Sequence, residues 1–213
     1  MNRRLELGIC ADVKATLAAV LEALGRASIP PREEWRHRLR NLASTWQEEL
    51  GQAANDNSKP LHPARVYAEI TRVLPEDAIL CWDGGDFVHW GRSMLPARRP
   101  MHWLRLGPLA TLGMSLPIGL AAKVARPDQP IVVITGDGAL GFYLTECDTW
   151  GIERQFQLGA FGEEKTVACD LRRTRYDLVM KAFGGEGEHV ERAEQVAPAL
   201  ERALVSKRPY CIN

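Results

Sequence analysis

The chain has 213 residues, 46% of them hydrophobic, enough for one sizeable buried core with smaller pieces attached. Lys plus Arg and Asp plus Glu number 27 each, so no net field exists to draw a nucleic acid or an anionic membrane to the whole surface. No apolar run reaches the roughly 18 to 20 residues of a membrane span, and Met1-Asn2-Arg3-Arg4 is not followed by a signal-peptide core. The expectation is a cytoplasmic protein without nucleic-acid or membrane partners.

Five cysteines, Cys10, Cys81, Cys147, Cys169 and Cys211, are odd in number and form no Cys-x-x-Cys pair, which argues for reduced thiols rather than a disulfide framework or a zinc site. In chain order, Leu5 to Cys10 reads as a short strand. Asp12 then caps a helix with apolar positions at Val13, Leu17, Val20, Leu21 and Leu24. Pro30-Pro31 breaks the chain, and Glu33 to Leu50 predicts a charged surface helix with Trp35, Leu39, Leu42, Trp46 and Leu50 on one side. Gly51 to Pro60 reads as a polar linker. The expected organisation is a remnant of a preceding domain over residues 1–27, a helical connector and linker over 28–60, and the main domain over 61–213.

His62-Pro63 opens a helix to about Leu74, Ala78 to Trp82 is a buried strand, and Asp83-Gly84-Gly85-Asp86 is the loop at its carboxyl end. A strand running into a glycine loop is a ligand-binding place in an open parallel sheet. Gly107 to Gly119 leads into a helix of small residues ending near Ala125. Ile131 to Thr135 is a β-branched run suited to a strand covered on both faces, and Gly136-Asp137-Gly138 ends it before another helix. This alternation predicts an α/β fold, a parallel sheet with helices on both faces.

The alternation then fails. The helix from about Ala139 to Trp150 is followed at once by Gly151-Ile152-Glu153-Arg154-Gln155, with no strand between them. Val196 to Val205 predicts an amphipathic helix, and Pro209 to Asn213 begins a strand at the terminus. Too few strands remain for a complete sheet. The expectation is that a segment is absent between Thr149 and Trp150, with more beyond both ends.

The Gly136-Asp137-Gly138 turn suits a divalent cation bridging to phosphate. Glycines allow close backbone approach, a helix amino terminus favours an anion, and Asp137 offers a hard oxygen ligand. On its own this common tripeptide is read first as a plain turn. Context adds to it: Leu112-Gly-Met-Ser-Leu-Pro-Ile-Gly119, followed by Ile131-Val-Val-Ile-Thr-Gly-Asp-Gly-Ala-Leu-Gly141, resembles the diphosphate-binding domain of thiamine-diphosphate enzymes of the acetolactate synthase, benzaldehyde lyase and 2-hydroxyacyl-CoA lyase group. Trp150 to Gln155, Arg175-Tyr-Asp177, Phe183-Gly-Gly185 and Arg208 to Asn213 resemble the same group, so the likeness covers most of residues 62–213.

The resemblance implies thiamine diphosphate and Mg2+ as cofactors, with Asp137 as a metal ligand. It places Gly85, Phe87, Gly136, Gly138, Ala139, Gly151 and Ile152 around the diphosphate, Leu112 as the apolar wedge under the bent cofactor, and the Ala110 carbonyl on the pyrimidine amino group. Asp86 departs from the neutral polar residue of that pattern. The pattern also pairs the metal-binding aspartate with an asparagine shortly before the residues matching Trp150-Gly151, yet no asparagine occurs between Asn57 and Asn213. No catalytic residue is expected within these residues, because the family's catalytic glutamate comes from a separate pyrimidine-binding domain, normally on a partner subunit.

The implied activity is making or breaking carbon–carbon bonds of 2-keto acids or 2-hydroxyacyl-CoA thioesters, in a homodimer or tetramer. A non-catalytic cofactor-binding or regulatory subunit is the alternative. A nucleotide-binding domain is disfavoured, since no Gly-x-Gly-x-x-Gly follows a strand. His89, His102, Glu146 and the cluster Arg172, Arg173 and Arg175 are further candidates for substrate contact, each with a structural reading beside the functional one.

Overall fold

The computed structural model describes residues 6–28, 30–105, 107, 111–141, 151–167, 169 and 174–213. Two compact units are formed, residues 1–46 and 47–213. Helix α1 (Val13–Arg26) begins where the sequence placed it: the Asp12 carboxylate accepts the Ala15 N–H at 2.9 Å, satisfying one amide that the first helical turn leaves open. Residues 6–11 form no strand, against the expectation for Leu5 to Cys10. A strand needs a neighbour for its backbone groups, and none lies beside them among the described residues. Helix α2 (Glu33–Asn55) continues through five residues of the expected linker, where Gln52, Ala53 and Ala54 are compatible with a helix.

In residues 47–213, helix α3 (Pro63–Val73) starts with proline in its first turn, and His62 Nδ1 accepts the Ala64 N–H at 3.1 Å. Strand β1 (Ile79–Trp82) is buried along its whole length. It is the middle strand of a three-stranded parallel sheet, between β2 (Trp103–Arg105) and β3 (Ile131–Ile134). Leu80 pairs with Trp103 on one side and Val132 on the other, and Trp82 pairs with Arg105 and Ile134. Helix α4 (Asp86–Met94) follows β1, α5 (Ser115–Ala125) precedes β3, and the short α6 (Asp137–Leu140) follows it.

The core on one side of this sheet gathers Tyr67, Leu80, Trp82, Val88, Leu95 and Ile134. On the other side Ile79, Cys81 and Ala122 pack together. Burial pushes the Cys81 thiol up to about 11, which makes it an inert core group. Gly91 lets α4 approach Tyr67 and Trp82 closely: a Cβ there would lie 2.6 Å from Trp82 Cζ3. Strand β3 departs from expectation, because only Ile134 is buried while Ile131, Val132 and Val133 are half-exposed. Among the described residues it pairs with β1 alone, so its other edge carries no strand.

Helix α7 (Gly151–Phe161) leaves Phe156 and Phe161 well exposed and is followed by a 3-10 turn at Glu163–Lys165. Beyond it come α8 (Tyr176–Ala182), β4 (Glu186–Glu188), α9 (Ala193–Val205) and β5 (Tyr210–Ile212), and β4 and β5 make a separate two-stranded parallel sheet. Asp177, at the start of α8, is buried and takes two hydrogen bonds from Arg175 at 2.7 Å each. Those bonds hold its carboxyl below the usual carboxylate range. Glu69 beside Arg65 and Glu188 beside Arg202 are lowered for the same reason.

A depressed folded value means that the contribution of Asp177 to stability is full above about pH 4, the ordinary carboxylate value, and is lost as pH falls through the folded value. Urea denaturation at a series of pH values is expected to show residues 47–213 losing stability below pH ~4. Asp177→Asn should be less stable at neutral pH and lose less on acidification. An acid loss equal to that of the unaltered chain would contradict the assignment.

Candidate functional site

Parallel strands bring their carboxyl ends to one edge of the sheet, and the loops that leave those ends meet there. The loop after β1 is Asp83-Gly84-Gly85, and the loop after β3 is Thr135-Gly136. They are adjacent because the Asp83 N–H donates to the Ile134 carbonyl at 3.0 Å, extending the β1–β3 ladder by one step. The turn before α5 is drawn to the same place by the Asp83 side chain. Its Oδ1 accepts the N–H groups of Gly84 at 2.8 Å and Gly113 at 2.9 Å, and its Oδ2 accepts the Ser115 N–H at 3.0 Å. A buried carboxylate with three amide donors is well compensated, since charge-assisted bonds are stronger than neutral ones.

This tie sets the neighbours. Leu112, half-buried at the start of the α5 turn, lies against Gly84 so closely that a Cβ on Gly84 would collide with its Cδ2. Gly85 has φ 107°, a conformation that disfavours a side chain, and it turns the chain into α4. Asp86 is exposed in the first turn of α4. The ring of Phe87 points inward and stacks on Tyr67 with centroids 4.6 Å apart, while its carbonyl accepts the Tyr67 hydroxyl at 3.0 Å. Phe87 can therefore offer a ligand its backbone amide and not its ring. Burial drives the Tyr67 phenol well above its usual value, keeping it a neutral donor in that bond.

At the end of β3, Asp137 opens α6 and its Oδ1 accepts the Gly138 N–H at 2.8 Å. Gly138 and Ala139 are buried beneath it. The glycine loops after β1 and β3 and the Leu112 turn thus lie at one edge of the sheet. Gly151 begins α7. Ala110, Glu146, Arg172, Arg173 and the Thr149–Trp150 junction lie outside the described residues, as does the side chain of Ile152.

Other candidates resolve differently. His102 immediately precedes β2 and its carbonyl accepts the Leu80 N–H, which puts it toward the amino end of the sheet, away from the glycine loops. There it lines a small recess with Leu74, Leu95 and Arg98. His89 is exposed on α4, its Nδ1 3.1 Å from Arg92. Arg175 is committed to Asp177. Among the described residues no three His, Cys, Asp or Glu side chains gather into a metal-binding group, and no helix is long and apolar enough to cross a membrane.

Residues 83–151, which contain all three loops, match the C-terminal TPP-binding domain of thiamine pyrophosphate enzymes. The chain's similarity is to acetolactate synthases and 2-hydroxyacyl-CoA lyases. A probable acetolactate synthase of Mycobacterium bovis is 36% identical over 224 residues, covering 96% of this chain and 40% of the relative. The 2-hydroxyacyl-CoA lyase 2 of Caenorhabditis elegans is 32% identical over 220 residues, covering 93% and 34%. A solved structure, the thiamine diphosphate-dependent 4-hydroxybenzoylformate decarboxylase of Rhodococcus jostii RHA1, superposes with a TM-score of 0.65 at 22% identity over 74% of this chain and 33% of that one, which shows a shared fold. The chain spans less than half the length of these relatives.

Sequence reasoning passed over Asp83, whose position directly after a fully buried strand was the available signal. Asp83→Ala strands three amides that had a charged acceptor and should lower the unfolding free energy by roughly 3 kcal/mol. Asp83→Asn should cost less. An unchanged urea midpoint in Asp83→Ala would show that the tie carries no stability.

Proposed function

We propose that this chain supplies the diphosphate-binding side of a thiamine-diphosphate- and Mg2+-dependent enzyme that makes or breaks a carbon–carbon bond beside a carbonyl, on 2-keto acids or 2-hydroxyacyl-CoA thioesters. The observation that carries the reading is the convergence of the two glycine loops and the Leu112 turn at the carboxyl edge of one parallel sheet. The first amides of α4 have no acceptor within the helix and point out of its amino terminus, so the backbone of Gly85, Asp86 and Phe87 suits an anion. Gly136, half-buried beside it, adds no side chain that would keep a ligand from the neighbouring loop. The amino terminus of α4 is the side on which the fit to a diphosphate rests.

Leu112 gives an apolar surface over Gly84 on which a flat ring can rest, and Asp83 fixes that surface in place. Asp137 is the hard carboxylate available to a cation between the loop and a diphosphate. When bound, thiamine diphosphate supplies a nucleophilic carbon that adds to the substrate carbonyl and stabilises the charge left after cleavage. The protein's share in these residues is to hold, orient and shield; proton transfer falls to groups outside them. The names of the two relatives favour an enzyme over a non-catalytic subunit.

Hydrogen–deuterium exchange with thiamine diphosphate at tens-of-millimolar Mg2+ is expected to slow the amides of Gly84–Phe87 and Gly136–Ala139, with no such effect from thiamine. Equal exchange with and without thiamine diphosphate in both loops would contradict the proposal.

A further inference from the structure

Resting on that reading, we infer that Tyr67, a residue of α3 outside the three loops, is a positioning residue for the diphosphate: its hydroxyl fixes the peptide unit that carries the Val88 amide in the first turn of α4. The first bond inside α4 runs from the His89 N–H to the Gly85 carbonyl at 3.2 Å. The N–H groups of Asp86, Phe87 and Val88 therefore precede the helical ladder, and the cap residue, Gly85, has no side chain to occupy them. They are the donors that an anion at this end of the helix would take.

Tyr67 reaches this turn from another helix. It is fully buried, and its hydroxyl donates at 3.0 Å to the carbonyl of Phe87, twenty positions further along the chain. That carbonyl and the Val88 N–H belong to one planar peptide unit and point in opposite directions. A bond that fixes the carbonyl therefore aims the N–H. It also polarises the peptide, which strengthens the N–H as a donor. The ring holds the same face of α4 twice more: it stacks on Phe87 with centroids 4.6 Å apart, and one turn later a Cβ on Gly91 would collide with it. Filling the core asks only for a ring at this place. A phenylalanine would keep the stack on Phe87 and the contact with Gly91, so the hydroxyl is the part whose removal acts on the first turn alone.

The test is an amide nuclear magnetic resonance titration with thiamine diphosphate, at tens-of-millimolar Mg2+, of the unaltered chain, Tyr67→Phe and Val196→Ala. Val196 is buried in α9, and its truncation serves as a stability control that leaves the first turn of α4 alone. In the unaltered chain the Val88 amide should be among the resonances that move. Tyr67→Phe should bind thiamine diphosphate at least ~3-fold more weakly, the size of one modest hydrogen bond. Val196→Ala should lower the urea midpoint and keep its affinity. A hydroxyl with a merely structural role would lower the midpoint without moving the affinity. Tyr67→Phe binding as tightly as the unaltered chain would therefore overturn the inference, while loop protection in hydrogen exchange would leave the proposed function standing. Affinity lost by both variants in step with their urea midpoints would overturn it too. Absence of loop protection in the unaltered chain would strike the proposed function, and the inference with it. Should circular dichroism show Tyr67→Phe unfolded, the unaltered chain decides: a Val88 resonance moved by thiamine diphosphate supports the inference, and one that stays in place overturns it.

Discussion

One buried carboxylate organises the carboxyl edge of the sheet. Asp83 follows a strand with no solvent-facing residue, and its own side chain is buried, so its charge must be met inside the protein. Three backbone amides meet it, from Gly84, Gly113 and Ser115. The two distant donors belong to a turn some thirty residues further along the chain, so the bond set closes a long loop and fixes where α5 begins. Its backbone N–H meanwhile holds the Ile134 carbonyl. Removing this residue would free the Leu112 turn from Gly84 and loosen the register of the loops after β1 and β3 together.

Much of this was legible before any coordinates. Strands β1 and β3 announce themselves as unbroken apolar runs, and α1, α3 and α9 by caps and helical periodicity. The glycine turns after β1 and β3 were legible too, as loops at strand ends. The missed elements share a physical cause. Strand β2 has three residues and no alternation, and β4 is Glu-Gly-Glu, a strand only because β5 lies beside it. Pairing partners distant in sequence decide such segments, and local composition does not record them. Asp83 was hidden because acid beside glycine reads as a turn; its role depends on Gly113 and Ser115. His102 is placed by register, which a linear reading does not contain.

The break in the strand–helix alternation was legible for a different reason: an α/β chain alternates regularly enough that a departure is noticed. Among the described residues β3 pairs with β1 alone, and the strands fall into two separate parallel sheets.

The account stands on the Asp83 tie, and native-state hydrogen exchange measures it most directly. If the Gly113 and Ser115 amides are held by a buried carboxylate, they should exchange as slowly as the amides of β1. Exchange at the rate of the exposed loops would show that the tie does not form, and would contradict the placing of the Leu112 turn over the glycine loop.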